Sequence, residues 1–145
     1  MSNKPFVTLI CMGVCVFIAC GTPGKQLAPT TETAKFFAND TLKAEMVLKN
    51  FYFEPSRIVT EVNRPLQLTL KKRSGFLGLV PHDFNLVAPA AGLEIQNQDV
   101  PGGEGVVITL TPTKTGEFKF YCSKDGHAKK GMVGYLIVKD RLTAQ

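Results

Sequence analysis

The chain has 145 residues, a formal net charge of +5, 13 glycines, 9 prolines, no tryptophan and only two histidines. That length suits one compact domain with a short extension, and the supply of turn formers and phenylalanine favours strands over long helices. No basic cluster is interleaved with aromatics, which speaks against a nucleic-acid surface, and there is no repeat or low-complexity block.

The chain opens with "MSNKP", one lysine, followed by "FVTLICMGVCVFIA", fourteen apolar or small residues without a charge. This is the length of the apolar region of an export signal and short for a membrane span. It ends in "FIACG", which resembles a bacterial lipobox. The resemblance implies a signal peptide over residues 1–19, cleavage between Ala19 and Cys20, and lipid on Cys20. An ordinary export signal or an uncleaved anchor are the alternatives. Residues 20–34, with "GTPGKQLAPTTET", read as the lipidated cysteine and a flexible tether, and 35–145 as the folded domain. The expected location is therefore outside the cytoplasm, anchored by lipid to a bacterial membrane and facing the periplasm or the exterior. Processing would remove Cys11, Cys15 and Lys4. Cys122 is then the one remaining thiol, which excludes a disulfide framework. Sixteen basic residues against 12 acidic ones leave a net +4.

Strand signals follow in order. Residues 44–53 are apolar and aromatic, stopped by Pro55. Residues 56–62 form a short alternating strand. Residues 66–72 put Leu66, Leu68 and Leu70 on one face. Residues 82–88 group His82 with Phe84 and Leu86. Residues 105–112 group Val106, Ile108 and Leu110, residues 116–122 group Phe118, Phe120 and Cys122, and residues 133–139 make a mostly apolar last strand. About seven strands in so short a domain predict an all-β sandwich of two packed sheets. Residues 89–105 are the longest irregular stretch, with room for a helical turn.

The stretch "FKFYCSKDGHAKKGMVGYLIV" concentrates the chemistry. Cys122 ends a strand with its sulfur on the apolar face, and His82 begins a strand on its own apolar face. If these two strands are antiparallel, both residues lie at one pole of the sandwich. The turn between Cys122 and the last strand brings His127 and Met132 there too. One thiolate, two imidazoles and a weak thioether are the donor set of a blue-copper electron-transfer site. Zinc would accept the first three but prefers a fourth hard or thiolate ligand, or an open water position.

"YCSKDGHAKKGMVGYLIV" with the upstream "PHDF" resembles the cupredoxin family, the small blue-copper proteins such as plastocyanin, azurin and rusticyanin, over roughly residues 44–139. The resemblance implies a Greek-key β-sandwich of seven to eight strands and one copper ion cycling between Cu(I) and Cu(II). His82, Cys122 and His127 would be equatorial ligands and Met132 the axial one. Many members carry Asn or Ser after the first histidine. Here it is Asp83, which could accept a hydrogen bond from the backbone or hydroxyl of Ser123.

The expected function is that of a non-enzymatic, monomeric one-electron carrier that docks transiently with a c-type cytochrome, a membrane oxidoreductase or a terminal oxidase. His127, on a turn, is expected to be the more exposed imidazole and the electron route. A copper-binding or chaperone lipoprotein that delivers copper to an exported cuproenzyme is the alternative, and a metal-free scaffold a third. A binuclear copper domain would need a second cysteine in this loop. Lys129 and Lys130 read either as a solvated turn or as a cationic rim for an acidic partner. "GFLGLV" (75–80) reads as a docking patch or a cap on the core.

Overall fold

The computed structural model describes residues 30–36, 40–72 and 80–142. The leader, Cys20, most of the tether and residues 73–79 lie outside the described residues. No described helix is long and apolar enough to cross a membrane.

Eleven strands appear among the described residues: β1 (Thr31–Thr33), β2 (Lys35–Phe36), β3 (Leu42–Lys49), β4 (Tyr52–Glu54), β5 (Arg57–Glu61), β6 (Leu66–Lys72), β7 (Asp83–Ala88), β8 (Leu93–Asp99), β9 (Val106–Leu110), β10 (Gly116–Tyr121) and β11 (Val133–Lys139). They form two sheets. One has the order β1-β5-β11-β10-β7-β8; the other runs β2-β3-β6-β9, with β4 paired to β3. The chain passes between sheets at β1–β2, β4–β5, β5–β6, β6–β7, β8–β9 and β9–β10, so both sheets close over one core. The sandwich is as the sequence predicts, with more strands than the seven or eight expected.

The core follows from period-two alternation. β3 and β6 pair in parallel, with Leu42 opposite Leu66, Ala44 opposite Leu68 and Met46 opposite Leu70. All six are buried. The opposite face is polar, and there Lys71 pairs with Glu45 at 2.6 Å. Phe53 from one sheet meets Phe84 and Phe120 from the other, with ring centroids 6.2 and 5.1 Å away, and Phe84 and Phe120 lie 5.2 Å apart. Phe84 is two residues after His82 and Phe120 two before Cys122, so this aromatic trio packs on the same faces that carry the donors.

Three expectations are corrected. Residues 44–53 are two strands, because Asn50 and Phe51 make a tight turn between β3 and β4, with Lys49 opposite Tyr52. Residues 89–105 do contain a turn of 3-10 helix, Pro89–Ala91, but also β8. β8 is a polar edge strand, and its register against β7 shifts between Phe84 and Leu86, the mark of a β-bulge. Thr31–Thr33, in the stretch read as tether, form β1 in parallel with β5. The Thr30 carbonyl accepts from Ser56 and Arg57, and Ala34 donates to Val59. Those contacts use backbone groups, which leave no apolar signature in "TET".

Candidate metal centre

β10 and β7 are antiparallel, with Tyr121 opposite Asn85. The end of one strand therefore lies beside the start of the other. Cys122 follows β10 and His82 precedes β7. β10 and β11 pair as far as Tyr121 opposite Val133, and beyond them the Cys122 amide donates to the Met132 carbonyl at 3.2 Å. The connection 122–132 thus leaves and rejoins the sheet at one point.

Two short 3-10 turns, Lys124–Gly126 and Ala128–Lys130, fold this connection inward. His127 sits between them. Its carbonyl accepts from Met132 at 2.9 Å and from Lys130 at 3.0 Å, and its amide donates to Lys124 at 2.7 Å. Gly131, at φ +101°, supplies the left-handed conformation that ends the second turn.

The donor atoms converge. Cys122 Sγ lies 3.4 Å from His127 Nδ1 and 4.0 Å from His82 Nδ1. The three candidate atoms fall within 4.8 Å of one another, the only such cluster of His, Cys or carboxylate groups among the described residues. The imidazole centroids are 5.0 Å apart. Met132 is fully buried, and its main chain is bonded to both Cys122 and His127. A sulfur and two imidazole nitrogens facing one point, with a buried thioether residue alongside, fit a copper ion.

The electrostatics agree with that fit. Burial, reinforced by His127 and Lys72 and opposed by Asp83, pushes the His82 imidazole down to about 4. It is neutral at pH 7, the form that ligates metal. Burial likewise pushes the Cys122 thiol above its usual range. Burial opposes ionisation of Asp83, but bonds from the Ser123 hydroxyl and amide, with Cys122 and Asn85 adding, hold its carboxyl below the usual value. Asp83 accepts the Ser123 amide at 2.6 Å and its hydroxyl at 2.5 Å, so both partners anticipated from sequence are engaged.

Other neighbours are not visible as motifs. The Asn85 amide donates to the Tyr121 carbonyl at 3.3 Å, and its oxygen accepts from Asn97 at 2.8 Å. This ties the end of β10 to β7 and β8, one residue from the thiol. The expectation that His127 is the more exposed imidazole is not met: it is 2% exposed and His82 3%. The reason is Phe51, whose ring stands edge-on to His127 at 5.0 Å and 84°.

No curated protein matches the chain significantly. Solved structures share its fold. Auracyanin from the photosynthetic bacterium Roseiflexus castenholzii is 18% identical, with TM-score 0.55 over 71% of this chain and 99% of its own. A copper binding protein determined in its apo form is 23% identical, with TM-score 0.55 over 76% and 98%. The metal binding domain of the Cu(I)-exporting P-type ATPase of Streptococcus pneumoniae is 17% identical, with TM-score 0.55 over 77% and 98%. The family model described as a cupredoxin-like domain matches residues 10–138. That span takes in all four donor residues and every strand but the last residue of β11, and on this ground the chain belongs to the family of cupredoxin-like domains, which bind one copper ion.

Proposed function

We propose that the protein is a one-electron carrier and not an enzyme. The observation that carries this reading is the placement of the donors: His82, Cys122, His127 and Met132 are all buried, with the Met132 backbone hydrogen-bonded to both Cys122 and His127 and the His82 carbonyl to the Val100 amide. A carrier needs a site that rearranges little between oxidation states, and a buried, braced donor set meets that need. Copper, when bound, supplies a one-electron Cu(I)/Cu(II) couple. Cys122, His82, His127 and Met132 would hold the ion in this reading. Asp83 holds the Ser123 end of the connection, and the phenylalanine trio excludes water beneath it.

The partners proposed are a c-type cytochrome, a membrane oxidoreductase or a terminal oxidase, met in brief encounters by a protein held at a bacterial membrane through lipid on Cys20. A copper-delivery role would use the same residues, and a copper exporter's binding domain shares the fold. The two readings part on exchange: a carrier keeps its ion, a delivery protein gives it up.

The test is to add one equivalent of Cu(II) to the protein and record the visible spectrum. Intense thiolate-to-copper absorption, bleached by reductant, restored by oxidant and lost in Cys122→Ser, is expected. A colourless protein, or copper surrendered at once to a mild chelator, would overturn the carrier reading.

A further inference from the structure

The buried imidazole of His127 reaches the surface through another side chain. Phe51 covers it edge-on at 5.0 Å, and Phe51 itself is 39% exposed. The ammonium of Lys130 lies 4.5 Å from the centroid of the Phe51 ring, a cation–π contact that ties the β3–β4 turn to the connection 122–132. Phe51 takes φ +63° in a two-residue hairpin loop. Glycine ordinarily occupies such a position, and a bulky residue there costs about 1 kcal/mol or more. Strain of this kind persists where the side chain has work to do, and this ring touches a donor residue.

The charge beside the ring is one-sided. The connection carries Lys124, Lys129 and Lys130 against Asp125 alone. Lys124 is engaged by Asp99 at 2.9 Å. Lys129 and Lys130 are exposed and have no ion pair among the described residues. An apolar contact over the site, flanked by unneutralised ammonium groups, complements a protein face that surrounds an apolar spot with carboxylates.

We propose that Phe51, Lys129 and Lys130 form the docking surface for an acidic protein partner, with Phe51 as the contact over His127. The proposal deepens the electron-carrier reading and rests on it for its purpose. In a transfer across this surface one electron leaves for the acceptor, Cu(I) becomes Cu(II), and no proton or bond changes hands.

The first test needs no copper. The metal-free protein is titrated with polyglutamate and followed by amide NMR. Shifts confined to residues 50–51 and 127–131, abolished in Lys129→Glu/Lys130→Glu, are expected. Shifts spread over other lysines would overturn the proposal. So would a response to phosphatidylglycerol vesicles with none to polyglutamate, which would make this a membrane face.

The second test follows oxidation of the Cu(I)-loaded protein at low ionic strength. Hexacyanoferrate(III), an anion, should act about tenfold more slowly on the charge-reversed variant, while a cationic cobalt(III) phenanthroline complex should not slow. Phe51→Ala should slow both oxidants and Phe51→Trp restore them, with the visible spectrum unchanged. Equal responses to both oxidants in the charge-reversed variant, or slowing by Phe51→Ala that tracks a changed spectrum, would overturn it. If no thiolate–copper absorption forms, the carrier reading fails by itself and the polyglutamate titration still decides the surface.

Discussion

Asp83 shows how much one side chain contributes at the residue scale. Its carboxylate is fully buried, yet both oxygens are engaged by the amide and hydroxyl of Ser123, the residue after the thiol. Truncation to Asp83→Ala leaves the Ser123 amide without that acceptor. It should cost about 2 kcal/mol in urea unfolding, and lower Cu(I) affinity about 10- to 100-fold in chelator competition. Asp83→Asn keeps an acceptor for the amide and can donate to the hydroxyl, so it should recover most of both. If Asn is as damaging as Ala, charge rather than bracing is what this position supplies. Cys122 leads to a second expectation. Burial raises its thiol while His82 is already neutral at pH 7. Loading with Cu(I) should therefore release about one proton, read as the dependence of calorimetric heat on buffer ionisation enthalpy. Release near zero would mean the thiol is already ionised in the metal-free protein.

Strand parity explains what could be read at the scale of elements and what could not. Leu66, Leu68 and Leu70 alternate without interruption, and β6 is found where that pattern lies. β3 and β4 merged into one expected strand although their inward residues change parity, Met46 and Leu48 on even positions and Phe53 on an odd one. That shift is the trace of the turn at Asn50 and Phe51. β8 escaped notice because an edge strand buries little, and its alternation fades after Leu93 and Ile95. The donors were legible because short spacing places Cys122, His127 and Met132 on one connection, and because only two histidines exist. Phe51 was not, since its contact with His127 depends on a turn conformation rather than on a residue pattern. Gly134 in β11 tests the packing beneath the site. A Cβ there would stand 2.3 Å from Phe120 Cε2 and 2.4 Å from the Ser56 carbonyl oxygen. Gly134→Ala must displace the ring that adjoins Cys122. It should cost about 1–3 kcal/mol of unfolding free energy and shift the thiolate-to-copper absorption. An unchanged urea midpoint would mean the ring has room to move.

For the whole molecule, both poles of the sandwich are tied by buried polar groups. At the pole away from the donors, Glu61 is 4% exposed, and its carboxylate accepts from Arg64 and from the Leu142 amide at 2.5 Å each. This holds the chain beyond β11 against the end of β5. At the donor pole the titrating group is His82, faced by His127, Lys72 and Asp83 and lowered by burial to about 4 from an ordinary 6.5. Between those values the unfolded chain binds the proton and the folded one does not. Folding stability of the metal-free protein therefore rises with pH across this window and is lost as pH falls through it. The full loss attributable to His82 is at most about 3 kcal/mol, reached near pH 4. Copper on the imidazole nitrogen competes with the same proton, so the loaded protein should resist acid until the metal leaves. Urea midpoints of the metal-free protein should fall from about pH 7 to about pH 5, and the drop should shrink in His82→Gln, which cannot take up the proton. An equal drop in His82→Gln would assign the acid sensitivity elsewhere.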